Sequence, residues 1–404
     1  MLCITRLLLS ALLLVLAIPA GADYGPDAQP NNPTNNGNGD NPANAGQQMK
    51  VPDYIKPGFQ MLFYNGSSTE APQPDKIGSA GMGFTEYTII AVSKDKVFVT
   101  ATNYLAVDGV PLTAQGEIDT TQDPKVQFIG SNSFAITAMD VQGGNAMWMP
   151  VDALKQWQSG NGVEVVRGQW PYQGKQVNAA TITVKGNNLI SSNTYDSDDG
   201  LKLASRNASG NFRRNATGND PYQRQMQSQM QLLSTRQMES PLLNAKWPNW
   251  AKAVKKMHYK GTYKMHTPGF DSPSLQISST LEFTDRGANY VTGKSTITLQ
   301  GGGQPDTKAI LQGPGTLLGN WIHPDILNNL NEGQIDRNEI LRTTLTYKVQ
   351  QGRLGQLGVF VLTNDAKSFY NVSGYSLKDG SLTYINLHTA DPATTVEASL
   401  DGIE

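Results

Sequence analysis

One pattern occurs twice in this chain, and it limits what the chain can fold into. The first copy runs from Met147-Trp148-Met149-Pro150-Val151-Asp152-Ala153-Leu154 to Tyr195-Asp196-Ser197-Asp198-Asp199-Gly200-Leu201-Lys202-Leu203. The second runs from Asn320-Trp321-Ile322-His323-Pro324-Asp325-Ile326-Leu327 to Tyr375-Ser376-Leu377-Lys378-Asp379-Gly380-Ser381-Leu382-Thr383. Each copy opens on a Trp, a nearby Pro, an Asp and a Leu. Each closes on a Tyr, a polar turn, Asp-Gly and an apolar strand. The flanks follow in the same order: Pro52-Asp53-Tyr54 matches Pro248-Asn249-Trp250, and Tyr64-Asn65-Gly66 matches Tyr259-Lys260-Gly261. A kept order with changed loop lengths describes two similar domains in tandem. The 404 residues also exceed what one ordinary core organises.

The first 50 residues read as an address and a spacer. Arg6 precedes the apolar run Leu7 to Ile18, and Ala20-Gly21-Ala22 offers small residues for cleavage. That is the pattern of a secretory signal peptide over 1–22, cut after Ala22, so the expected location is secreted or periplasmic. The run is short for a membrane span of roughly 20 residues, and no later segment is apolar enough to cross. Residues 23–50 are rich in Asn, Pro and Gly and lack the apolar residues that ordering requires, so a disordered leader is expected. The single cysteine, Cys3, would leave with the peptide, and the mature chain would then use no disulfide, Cys-ligated zinc or thiol. A net charge of −2 with 16% charged residues gives no basic field for nucleic acid.

The body reads as a first β domain over 51–206, a linker over 207–249, a second β domain over 250–390 and a loose tail over 391–404. Strands are expected at 59–64, 84–92, 96–106, 133–141, 177–185, 189–195 and 201–206, where β-branched and aromatic residues alternate with polar ones between turn signals. The second domain carries the clearer alternation. Leu275, Ile277, Leu281 and Phe283 interleave with polar residues, as do Leu341, Leu345, Tyr347 and Val349. Residues 355–363 and 381–387 add two more strands. Such alternation implies antiparallel sheets with one wet face. A short helix is expected at 150–157, with Pro in its first turn. In the linker, Asp220-Pro221 starts a helix, and Tyr222, Met226, Met230 and Leu233 fall on one stripe at i, i+4, i+8 and i+11. Another helix opens the second domain, with Trp250, Val254 and Met257 turned inward at i, i+4 and i+7. The fold class is therefore mainly β: two tandem antiparallel meanders, each a curved sheet or partly open barrel with one short helix. In architecture this resembles the half-barrel of bacterial lipoprotein carriers, although no diagnostic motif of that family is present.

Motifs that carry chemistry are scarce. Asp196-Ser197-Asp198-Asp199-Gly200 resembles the start of a calcium loop, but Gly falls at position five and Asn207 at position twelve, so an Asp-rich β-turn describes it better. The four histidines are His258, His266, His323 and His388, with no H-E-x-x-H among them. His258 and His266 share a strand face but stand about 26 Å apart along it. No G-x-S-x-G elbow exists. Gly301-Gly302-Gly303 lies between strands and is no phosphate cradle. Lys246 to Lys256 mixes Lys with Trp247 and Trp250, which suits a cell-envelope surface or a domain's opening helix. Sequons stand at Asn65, Asn207, Asn215 and Asn371.

Trp148, Asp152, Trp321 and Asp325 are the candidate ligand-binding residues, as two equivalent aromatic-walled pockets. The competing reading gives each Trp the task of sealing a helix onto its sheet, and each Asp the task of starting that helix. No catalytic set, metal site or cofactor is assigned. The expected function is non-catalytic binding of an apolar or amphiphilic small molecule, for example a lipid, against a concave sheet. An extracytoplasmic hydrolase using His323 and Asp325, and a structural cell-surface protein, are the alternatives.

Overall fold

The computed structural model describes residues 49–69, 79–106, 119, 122, 124–144, 146–186, 189–209, 226–243, 246–267, 270–271, 273–301, 304–353, 355–390 and 393–404. The expected signal peptide and all but the last two residues of the expected leader lie outside that set, as does Asn215. Nine strands form the first sheet: β1 (Phe59–Thr69), β2 (Ser79–Val92), β3 (Lys96–Ala106), β4 (Val126–Thr137), β5 (Val163–Tyr172), β6 (Lys175–Lys185), β7 (Leu189–Asp196), β8 (Lys202–Ser209) and β9 (Met226–Gln237). The second sheet holds β10 (Lys256–Thr267), β11 (Phe270–Asp271), β12 (Leu275–Arg286), β13 (Val291–Leu299), β14 (Asp306–Gln312), β15 (Gly333–Asn338), β16 (Thr343–Gly352), β17 (Gly355–Asn364), β18 (Phe369–Ser376), β19 (Leu382–Ala390) and β20 (Ala393–Ile403). Short helices α1 (Ala138–Gln142), α2 (Val151–Gln156) and α3 (Pro324–Asn329) complete the set.

Both sheets are antiparallel meanders whose last strand returns to the first. The first runs β4-β3-β2-β1-β9-β8-β7-β6-β5, and the second β14-β13-β12-β10-β20-β19-β18-β17-β16-β15. Neither closes into a barrel. β5 to β8 correspond to β16 to β19 at a constant separation of 180 positions (Val163 with Thr343, Lys175 with Gly355, Leu189 with Phe369, Lys202 with Leu382). A β-bulge in the β1–β9 pair falls between Leu62 and Phe63, and one in the β10–β20 pair between His258 and Tyr259. The bulges therefore align Phe63, rather than Tyr64, with Tyr259. That one-residue shift decides which face each side chain takes.

The duplicated pattern is the hub of each half. Trp148 bridges to Leu201, and Trp321 to Ser381. The Tyr195 hydroxyl donates to Gly144 O (2.6 Å), and that of Tyr375 to Gly319 O (2.7 Å). Gly200 and Gly380 have φ of 82° and 80° and pass so close to Met149 O and Ile322 O that no Cβ fits. Their turns are held by Asp199 Oδ1 accepting from Leu201 N (2.8 Å) and Asp379 Oδ1 from Ser381 N (2.9 Å). The Asp-rich stretch is turn chemistry of this kind: Asp196 Oδ1 also accepts from Asp198 N at 2.8 Å.

Three expectations are corrected. The linker helix is absent over its described part, because residues 226–237 form β9 between β1 and β8. Met226 and Met230 are an even number of residues apart, which a strand's period of two satisfies as well as a helical stripe does. Leu233 is the extra residue of the β9 bulge, which explains its odd spacing. The tail is not loose: β20 pairs with β10 and β19, burying Val396 and Ala398. The opening helix of the second half is one 3-10 turn (Asn249–Lys252), and Met257 already belongs to β10. Val254 and Met257 are nonetheless buried.

Candidate functional site

The two sheets meet unequally. On β1 to β4, residues Met61, Phe63, Ile89, Val97, Val99 and Ile136 pack with α1, Trp148 and the segment around Ile55 in a core of the first half. The opposite face of the same strands carries Leu62, Phe84, Tyr104 and Phe128, which join the core of the second half around Trp321. Strands buried on both faces lose the polar-out pattern. The back of the first sheet thus closes over the helix-bearing face of the second. Between them lies a cavity of about 200 Å³.

Strand register writes the cavity's first wall. Arg236, Gln60, Thr88, Thr100 and Ser133 are direct cross-strand partners over β9, β1, β2, β3 and β4. Glu86, Thr102 and Ser131 form the next row over β2, β3 and β4. Tyr64, Phe84, Tyr104 and Phe128 form an aromatic row beyond it. Side chains in such rows touch their neighbours and act as one surface. The opposite wall, from the second sheet, is mainly apolar and includes Leu281, Ile310, Leu345, Leu362 and Ile385. The cavity is therefore polar on one side and apolar on the other.

A hydrogen-bonded chain crosses the polar side and ties the halves together. Arg236 grips Asp336 with two nitrogens (3.0 and 2.8 Å), and it also donates to Arg337 O at 2.6 Å. Its Nε donates to Gln60 Oε1 at 2.6 Å. A guanidinium only donates, which fixes the Gln60 amide with its nitrogen toward Glu86 Oε1 (3.1 Å) and Thr88 Oγ1 (3.0 Å). Asn338 Oδ1 accepts from Ile340 N and Leu341 N (3.1 and 3.0 Å), which turns its nitrogen onto Glu86 Oε2 at 2.7 Å. Burial raises the Glu86 carboxyl above the usual range, while Arg236 and the Asn338 amide pull it back. Burial also raises Tyr104 well above its ordinary value, and Glu86 adds to the effect.

The residues singled out from the sequence lie elsewhere. Trp148 and Trp321 are buried, and neither indole nitrogen has a hydrogen-bond partner among the described residues. Trp321 meets the rings of Phe283, Trp247 and Trp250 at 5.2, 5.7 and 5.7 Å. Asp152 stands outside on α2, 2.5 Å from Lys50, whose ammonium holds the carboxyl below its usual range. Asp325 is 84% exposed at its side chain on α3, and His323 caps that helix by accepting from Asp325 N at 3.2 Å. None of these residues lines the cavity. His323 and Asp325, the pair named for the hydrolase alternative, stand 3.5 Å apart outside this cavity. His266 and His388, from β10 and β19, come together on Thr395 Oγ1 (3.0 and 3.3 Å), while His258 stands apart with Thr280 and Glu404. Among the described residues no cluster of three His, Cys, Asp or Glu suits a metal, and no helix is long and apolar enough to cross a membrane.

No family model and no curated protein matches the chain. Among solved structures it is compared with MucB in complex with MucA(peri), at 11% identity over 87% of this chain and 89% of that one, with a TM-score of 0.19. A MucA/MucB complex from Pseudomonas aeruginosa gives 10% identity over 84% and 88%, with a TM-score of 0.18. A protein of unknown function of the DUF3598 family from Nostoc punctiforme gives 10% over 84% and 95%, with a TM-score of 0.14. At such TM-scores these likenesses carry no argument.

Proposed function

We propose that this protein binds a small amphiphile, without transforming it, in the cavity between its two sheets. One observation carries the reading: the cavity pairs a polar wall of Gln60, Glu86, Thr102 and Ser131 with an apolar wall of Leu281, Leu345 and Ile385. An apolar solute would leave the first wall unsatisfied, and a sugar or ion would waste the second. The two candidate Trp residues act in this reading as the seals of their halves, with Asp152 and Asp325 on the helices they flank. The apolar run after Arg6 supports work outside the cytoplasm.

The test is direct. The protein is secreted from a competent host, purified without detergent and extracted with organic solvent, and the extract is analysed by mass spectrometry. A defined amphiphile at close to one per chain supports the reading. A clean extract, repeated after incubation with envelope lipids, rejects it.

A further inference from the structure

We infer that the head of the bound amphiphile is a hydrogen-bond donor carrying positive charge, an amine, seated against Glu86. The inference rests on the proposed binding function and concerns the same cavity.

Charge counting leads to it. Among the described residues, the charged side chains lining the cavity are Glu86, Arg236 and Asp336. Arg236 commits both terminal nitrogens to Asp336 and the carbonyl of Arg337, and its Nε to Gln60. Glu86 is left with two neutral amide donors and no cation in contact. With both carboxylates ionised the trio carries one excess negative charge in a buried place, which is costly until a counter-charge arrives. The amide orientations are fixed by Arg236 and by the backbone N–H groups of Ile340 and Leu341. Glu86 therefore presents a carboxylate held in place by donors.

Independent atoms point the same way. Ser131, in the same cross-strand row as Glu86, is 0% exposed, and its hydroxyl has no partner among the described residues. Asn371 Oδ1, from the second sheet, is buried in the cavity wall and likewise lacks a donor. A carboxylate, an amide oxygen and a hydroxyl are all able to accept. A carboxylate or phosphate head would meet like charge at Glu86, with Arg236, the lining cation among the described residues, already engaged. An ammonium supplies both the missing charge and the missing donors.

Three single-chain probes of equal length, a fatty amine, a fatty alcohol and a fatty acid, are titrated against a fluorescent reporter on the full protein at pH 7.5. The expected order is amine tighter than alcohol tighter than acid, with at least tenfold between amine and acid. Glu86→Gln should remove that amine advantage over the alcohol. The wild-type protein gives a second readout that needs no variant. As pH falls and Glu86 takes a proton, amine affinity should drop several-fold while alcohol affinity holds. An acid that binds as tightly as the amine overturns the inference and leaves the binding function standing, and so does an amine:alcohol ratio that ignores pH. If none of the three probes displaces the reporter, the binding function itself falls, and the inference with it.

Discussion

β1 to β4 and their counterparts β10 and β12 to β14 put the same kind of residue on the helix-bearing face: Met61, Phe63 and Val99 in one, Met257, Leu281 and Ile297 in the other. Their backs differ. The back of the second sheet carries His258, Lys260, Glu282 and Lys294, with Lys294–Glu282 and Lys260–Asp401 ion pairs at 3.0 and 2.8 Å. The back of the first sheet is buried, and in place of most of those charges it carries Gln60, Thr88, Thr100, Thr102 and Ser131, keeping Glu86 and Arg236, the latter paired with Asp336 of the second sheet. One scaffold thus has two kinds of back because the halves stack in the same sense, the back of one over the mouth of the other. Such a head-to-tail contact leaves its two surfaces free to specialise, since they are different patches. The first half's own mouth is occupied differently: Lys202 stands there where the second half has Leu382.

The largest expected effect breaks the symmetry of the two Trp hubs. Trp148→Ala and Trp321→Ala should each cost about 3–5 kcal/mol in urea unfolding. They should separate in a second measurement. Trp321 belongs to the core shared with the back of the first sheet, so its loss should also abolish amphiphile uptake. Trp148 belongs to the first half's own core, and uptake should survive its loss under conditions where the variant is folded. Equal loss of uptake in both would show that the two cores do not act separately.

Lys202 sharpens the contrast next. Its ammonium is buried, donates to Gly144 O at 3.0 Å and lies 5.4 Å from the Tyr195 ring centre, and burial lowers its pKa to about 7 from 10.5. Between those two values the unfolded chain binds more protons than the folded one, so this residue makes stability rise with pH from about 7 to about 10.5. The penalty is present in full below the folded value and gone above the unfolded one. It is on the order of a few kcal/mol. Lys202→Met keeps the length of the side chain and removes the charge. It should raise stability at neutral pH and flatten that slope, as followed by urea midpoints from pH 6.5 to 10. A slope unchanged in the variant would mean that other groups set it.

How much of this was legible in the sequence follows from distance along the chain. The Trp, Tyr and Asp-Gly hubs could be read because a tight turn needs Gly at positive φ and an Asp to accept the next amide. Alternation exposed β12 and the start of β16 for the same local reason. β9 was misread because residues at i, i+4 and i+8 satisfy both periods, and β20 because its alternation (Thr394, Val396, Ala398) uses small residues. The cavity's polar wall could not be read at all. Gln60, Glu86, Ser131 and Arg236 become one wall only through the register of five strands, whose pairings are bulged at Leu62/Phe63, Ile89/Ala91 and Asn103/Tyr104. Nothing in any single stretch marks Glu86 as different from a solvated strand glutamate, and its partner Asn338 lies in the other half.

The smallest expected effect compares the two Asp-Gly turns. Asp199→Ala and Asp379→Ala each remove the acceptor for the amide two residues on, a loss of about 1 kcal/mol or less in a turn open to water. The two should not be equal. Asp379 also accepts from the Ser381 hydroxyl at 2.7 Å, a bond with no counterpart at Leu201. Partial desolvation, opposed by the Leu201 amide and aided by Asp196 and Asp198, raises the Asp199 carboxyl above its usual range, so its ionised form is disfavoured where it sits. Asp199→Asn keeps the oxygen that accepts from Leu201 and sheds that penalty. At pH 7 it should therefore be neutral or slightly stabilising, while Asp379→Ala should be the most damaging of the three. If Asp199→Asn proves as costly as Asp199→Ala, the charge rather than the hydrogen bond is what the first turn needs, and the two turns are alike in sequence but not in physics.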